Sequence, residues 1–168
     1  HLLVELGRNV DGYVLSTYLH KDRNGLLNMG PIWDYNGALG NADYFEAWEP
    51  EGWHFNNSEF PADNPWAFRW YTRLLQDENF RTRRAARWAE LRQGELSTER
   101  LHSDIDATAS VLSEAAGRNF EVWDVLGEYV WPNDFGSEDR QTYQAEVDYL
   151  KSWIAARVEW MDEAVLED

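Results

Sequence analysis

A chain of 168 residues with 31 acidic and 15 basic side chains has a net charge of −16, a surface that repels nucleic acid and anionic lipid and argues against either as a partner. No apolar stretch is long enough to insert into a membrane, and the absence of cysteine excludes disulfide and thiolate chemistry while leaving the compartment open. The length suits a single domain, 1–168, with a core of its own.

Residues 1–6 are apolar but include Glu5 and lack the basic start of a secretory leader. They read as the last turns of a helix ended by Gly7, with Leu2, Leu3 and Leu6 on one face. With no initiator Met, the expectation is a piece of a longer protein. Residues 13–20 are rich in β-branched and aromatic side chains (Val14, Thr17, Tyr18) and predict a strand. Asn24-Gly25 predicts the turn, and 26–33 the returning strand, with Gly30 and Pro31 making an irregular end. Such a hairpin brings Asp11, just before it, close to Asp34, just after it. Paired carboxylates at one end of a hairpin suit a divalent cation or acid/base chemistry, although Asp, Asn and Gly are also ordinary turn residues.

Residues 42–63 have no sustained period but hold Trp48, Trp53 and His54, and read as a loop packed over the core by its rings rather than a substrate lid. His54 has no second histidine at ligand spacing, which argues against zinc. Asn64 caps and Pro65 opens a predicted helix to about Gln76, with Trp66, Phe68, Trp70, Tyr71, Leu74 and Leu75 on its apolar side. Asp77 caps a second helix over 78–93, stopped by Gly94. Its arginines (81, 83, 84, 87 and 92) form the one basic patch, read as ion-paired to the acidic surface rather than as a phosphate contact. Ser97 caps a third helix over 98–118 with Leu101, Ile105 and Leu112 on one face. Residues 120–135 read as a short helix and an extended piece, with Trp123, Tyr129 and Trp131 buried. The last helix, 137–166, has the stripe Tyr143, Val147, Leu150, Ile154, Met161 and Val165, widened by Trp153 and Trp160. The fold class is therefore α+β, mainly α, with a β-hairpin packed on a helical bundle.

Three motifs go further than spacing. They are RNVDGY (8–13), STYLHKD (16–22) and GPIWDYNGALGNADY (30–44), and LKSWIAARVEWMD (150–162) adds a closing helix. Together they resemble the CotH kinase family, the spore-coat protein H-like atypical protein kinases, strongly over 2–44 and again over 150–162. The resemblance implies the large lobe of a protein-kinase-like fold, with the smaller, ATP-clamping lobe upstream of this chain. It also implies ATP and Mg²⁺ as cofactors, a protein substrate phosphorylated on Ser or Thr, and a secreted or surface parent. Kinases pair an Asp-x-x-x-x-Asn catalytic loop with a second Asp that holds Mg²⁺. By that pattern Asp11 and Asp34 are the catalytic carboxylates, and Asp34 and Asn36 the metal ligands. Ser16 stands in the Asn slot, so that Ser16 and Asn36 complete the cofactor-binding set. Both depart from the family pattern: Ser16 has a shorter reach than Asn, and Asn36 lacks the charge of the Asp often found there. The alternatives are a catalytically inactive kinase-like structural or binding module, and a carbohydrate-active module suggested by the Trp content and the paired carboxylates. Oligomeric state is not legible.

Overall fold

The computed structural model describes residues 1–57 and 69–167. Helix α1 (Leu2–Gly7) ends at Arg8, whose backbone takes the left-handed conformation with φ 46°, so Arg8 and not Gly7 makes the reversal. The next turn folds back onto α1. A Cβ on Gly12 would lie 2.3 Å from Val4 Cγ1, so only glycine lets this turn sit there.

The hairpin is much smaller than its residue types suggest. Strands β1 (Leu19–His20) and β2 (Asn28–Met29) pair antiparallel, Leu19 opposite Met29 and His20 opposite Asn28. The predicted strands over 13–20 and 26–33 are thus corrected to two residues each. Tyr13 and Ser16 have φ 75° and 47°, which no strand accommodates. Tyr13 is drawn inward instead, its hydroxyl donating to Glu5 Oε1 at 2.6 Å. Nor does the hairpin lay an inner face on the helices: all four strand residues are exposed, and so are Leu26 and Leu27 in the turn. Met29 alone of the four is shown reaching a helix, its Sδ accepting from the Tyr71 hydroxyl of α2 at 2.8 Å, so the strands cover too little apolar area to reward a longer ladder.

The helices follow their caps. Helix α2 (Arg69–Leu74) leads to Asp77, whose carboxylate accepts from Phe80 N at 3.0 Å and starts α3 (Glu78–Arg92). Ser97 Oγ accepts from Arg100 N at 3.2 Å and starts α4, which runs to Val122 rather than to 118. Helix α5 (Tyr143–Glu167) begins later than expected; Ser137–Asp139 is a separate 3₁₀ turn, and Thr142 Oγ1 accepts from Ala145 N. Asn64, Pro65, Trp66 and Phe68 lie outside the described residues, as does the side chain of Trp70.

Helix α5 is the spine, packed against α4, α3 and α1. Its Trp153, Ile154, Val158, Met161 and Val165 join Leu6 of α1 and Trp88 of α3 in the main core. Leu150 of the expected stripe is half-buried, between α5 and α4. Trp160 widens the stripe, its ring edge-on to Trp53 at 4.8 Å. Gly40 sits against the indole of Trp153: its φ is 84°, and a Cβ would lie 2.6 Å from Cδ1. The expectation for 120–135 is overturned, because Trp123, Tyr129 and Trp131 are all exposed.

Candidate active site

The first arm of the site leaves α1 at Arg8. This side chain is 2% exposed, and it fastens the following loop by donating to Glu49 O at 2.7 Å and to Glu51 O, with Glu46 Oε2 at 3.3 Å. Asn9, equally buried, faces the other way. Its Oδ1 accepts from Asp11 N at 3.3 Å, and its Nδ2 donates to Asp34 O at 3.4 Å. One amide thus ties the two acid-bearing segments together. Leu39 N→Gly7 O at 2.7 Å and Val10 N→Gly37 O at 3.5 Å run the second arm alongside the first. Asp11 O accepts from Val14 N and Leu15 N, which coils 11–15 into a tight turn in place of the strand.

Asp34 enters with φ 61°, a conformation that Asp tolerates better than most residues, and its side chain points into solvent. Ser16 Oγ donates to Asp34 Oδ2 at 3.3 Å, so the residue in the Asn slot reaches the second carboxylate. The Asp11 carboxyl is held above its ordinary range, first by burial and then by the nearby negative charge of Asp34. Asp11, Ser16 and Asp34 therefore converge. Asn36 is exposed, and its backbone carbonyl accepts from Asn41 Nδ2 at 3.0 Å. Beside Ser16 a cleft of about 720 Å³ opens between Tyr18 and Trp33 on one wall and Arg83 and Arg87 of α3 on the other. Two of the five patch arginines are ion-paired as expected, Arg92 with Asp162 and Arg87 with Glu90; Arg81 and Arg83 donate to the carbonyls of Leu75 and Asn79, and Arg84 is buried with its guanidinium 5.1 Å from the Trp53 ring centre.

The oxygen donors suit a magnesium ion, which takes one or two carboxylates and keeps several waters. Asp34 carries a charged oxygen with Ser16 next to it, and Asn36, two residues on and exposed, carries a neutral amide oxygen. Among the described residues no group of three or more His, Asp or Glu side chains comes together to cage a metal.

Behind the site lies a constellation that spacing did not reveal. Glu5 is fully buried; its carboxylate accepts from Tyr13 Oη, His54 N and Phe55 N, and stands 3.7 Å from Arg157 Nη2. Arg157, also fully buried, donates to the carbonyls of Glu5, Pro50 and Gly52. His54 is buried with them, its ring stacked on that of Tyr13 with the centres 6.0 Å apart. Burial, and after it the charge of Arg8, pushes its pKa down to about 4. The only sequence signal for this group was a Glu inside an apolar helix tail and an Arg on the apolar stripe of the last helix.

No curated protein and no solved structure matches this chain. A family model described as CotH kinase protein matches residues 2–161, from the first turn of α1 to Met161 in α5, and on that match the chain belongs to the CotH kinase family.

Proposed function

We propose that this chain is the catalytic lobe of a protein kinase that moves the γ-phosphate of ATP to a serine or threonine hydroxyl. The observation that carries the reading is the convergence of Asp11, Ser16 and Asp34, with Asn9 bridging the two arms. Asp11 orients the acceptor hydroxyl and takes its proton as the oxygen attacks the γ-phosphorus and ADP leaves. Its raised pKa makes it a better proton acceptor than an ordinary aspartate, provided the pH keeps it ionised. Asp34 and Asn36 hold Mg²⁺, which when bound neutralises charge on the phosphates. The chain's lysines are Lys21, in the hairpin turn, and Lys151, which is paired to Asp106, so neither is placed to grip ATP. We therefore assign that task to a smaller lobe of a longer parent.

The test is transfer of radiolabelled phosphate by this chain and by one extended upstream. The expected result is activity in the extended protein that disappears with Asp34→Ala, and none in the 168-residue chain. Robust Asp34-dependent activity in the short chain would overturn the two-lobe assignment. A second reading, an inactive kinase-like structural or binding module, is favoured by Ser16 and Asn36, which weaken the metal site relative to the family pattern. Inactivity of both proteins would establish it.

A further inference from the structure

Tyr13, two residues after Asp11, is built into the buried group behind the site. Its φ of 75° lies in the left-handed region, which a residue with a bulky ring seldom occupies, so the surroundings must hold it there. They hold it at three points. The hydroxyl donates to Glu5 Oε1 at 2.6 Å, with His1 Nδ1 2.7 Å from the same oxygen. The ring, almost fully buried, lies 4.1 Å from the ring centre of Tyr71 and stacks on His54. The backbone amide donates to Thr17 Oγ1 at 3.1 Å.

Glu5 gives this anchor a fixed end, because its carboxylate also accepts from His54 N and Phe55 N and faces Arg157. Asp11 is held on both sides. Before it, Asn9 Oδ1 accepts from its amide; after it, Gly12 N donates to Asn9 O at 2.9 Å and Gly12 packs on Val4 so closely that no Cβ fits. Tyr13 is the next link, and the one that reaches Glu5. If its backbone relaxed to the ordinary negative φ, residues 11 and 12 would turn relative to α1, and the Asp11 carboxylate with them. A phenylalanine would bury the same ring. The hydroxyl is what ties the position of that ring to Glu5.

We propose that Tyr13 is a positioning residue for Asp11: the bond from its hydroxyl to Glu5 holds the left-handed turn that keeps the Asp11 carboxylate beside Ser16 and Asp34. The role rests on the phosphotransfer reading for what Asp11 does. It adds that the buried Glu5 and Arg157 act on the rate through one hydroxyl, although neither touches the reacting atoms.

The test compares Tyr13→Phe with Tyr71→Phe, which removes a second buried hydroxyl of the same ring cluster, one that donates to Met29 Sδ instead. In the 168-residue chain, hydrogen exchange at the Asp11 and Gly12 amides should accelerate in Tyr13→Phe by roughly tenfold more than exchange in α3, and Tyr71→Phe should show no such difference. In the protein extended upstream, Tyr13→Phe should lower kcat by about ten- to a hundredfold and leave KM for ATP within about twofold, the split expected when the acid is displaced and the nucleotide site is not. Tyr71→Phe should keep kcat within about twofold, since its bond does not lead to Asp11. Exchange at Asp11 and Gly12 that follows α3, equal acceleration in Tyr71→Phe, or a kcat that falls equally in both variants overturns the proposal. Should Tyr13→Phe fail to fold, Thr17→Val removes the acceptor of Tyr13 N and leaves Glu5 with its partners; selective exchange at the same two amides supports the proposal, and its absence overturns it. Failure of the kinase reading is seen separately, as no phosphate transfer by any protein, and the exchange pattern then decides by itself whether Tyr13 holds Asp11 in place.

Discussion

Glu5 and Asp11 are six positions apart and have opposite fates. Glu5 is buried with its oxygens occupied by a hydroxyl and two backbone amides, and an arginine 3.7 Å away. Asp11 is half-buried, with another carboxylate near it and no cation among its described ion pairs. The first arrangement uses a charge to hold α1, the loop before the 3₁₀ turn at His54–Asn56, and α5 together. The second keeps a charge open to the solvent, where it can meet a ligand. Saturated charge makes a floor and unsaturated charge makes a site; Asn9 and Arg8 join the two.

The contrast can be broken most severely from the floor. Arg157→Leu leaves Glu5 buried without its cation and three carbonyls without their donor, and should cost roughly 3–5 kcal/mol in urea denaturation. The exposed pair Arg118–Glu114 serves as the control, and Arg118→Ala should change stability by no more than about 0.5 kcal/mol. If both variants unfold at the same denaturant concentration, the buried group is not structural.

The next effect depends on pH. Folded His54 protonates only near pH 4, whereas in the unfolded chain it takes its proton near 6.5. Because the folded pKa is depressed, its contribution is complete above pH 6.5, declines as pH falls, and is gone below about 4. At about 1.4 kcal/mol per unit this is on the order of 3 kcal/mol. Stability of the wild type and of His54→Gln, measured from pH 7.5 to 4, should show a slope over that window that the variant lacks.

Asn9→Ala removes the amide that bonds both arms, and should cost about 1–2 kcal/mol. Hydrogen exchange at the Asp11 amide, the partner of Asn9 Oδ1, should accelerate more than exchange in α3. The smallest effect in stability is the most informative about the site. Asp34→Asn, at an exposed side chain, should leave stability within about 0.5 kcal/mol while lowering the Asp11 pKa, because the like charge that helps to hold it up is gone. A carboxylate titration followed by ¹³C NMR reads this directly. An Asp11 that titrates identically in both proteins would mean that the two carboxylates do not face one another.

What could be read from the chain alone was local. Asp77 and Ser97 start their helices because a short acceptor side chain satisfies an amide three residues on, and that depends only on neighbours. The buried Val147, Ile154, Met161 and Val165 follow from helical periodicity, and Asp11 and Asp34 were marked by long motifs. Tertiary structure decided the rest. Tyr13 is a good strand residue by type, but a hydrogen bond to Glu5 and a left-handed φ take it out of any strand. Trp123 and Trp131 are core residues by type, but they stand 65% and 72% exposed. The bond from Arg157 to Glu5 O spans 152 positions, and no period or spacing encodes it. Caps and stripes are set by energies within a few turns of chain. The floor is set by which distant groups lose their water together, and the nearness of Asp11 to Asp34 by Asn9, a buried amide bonded to both arms.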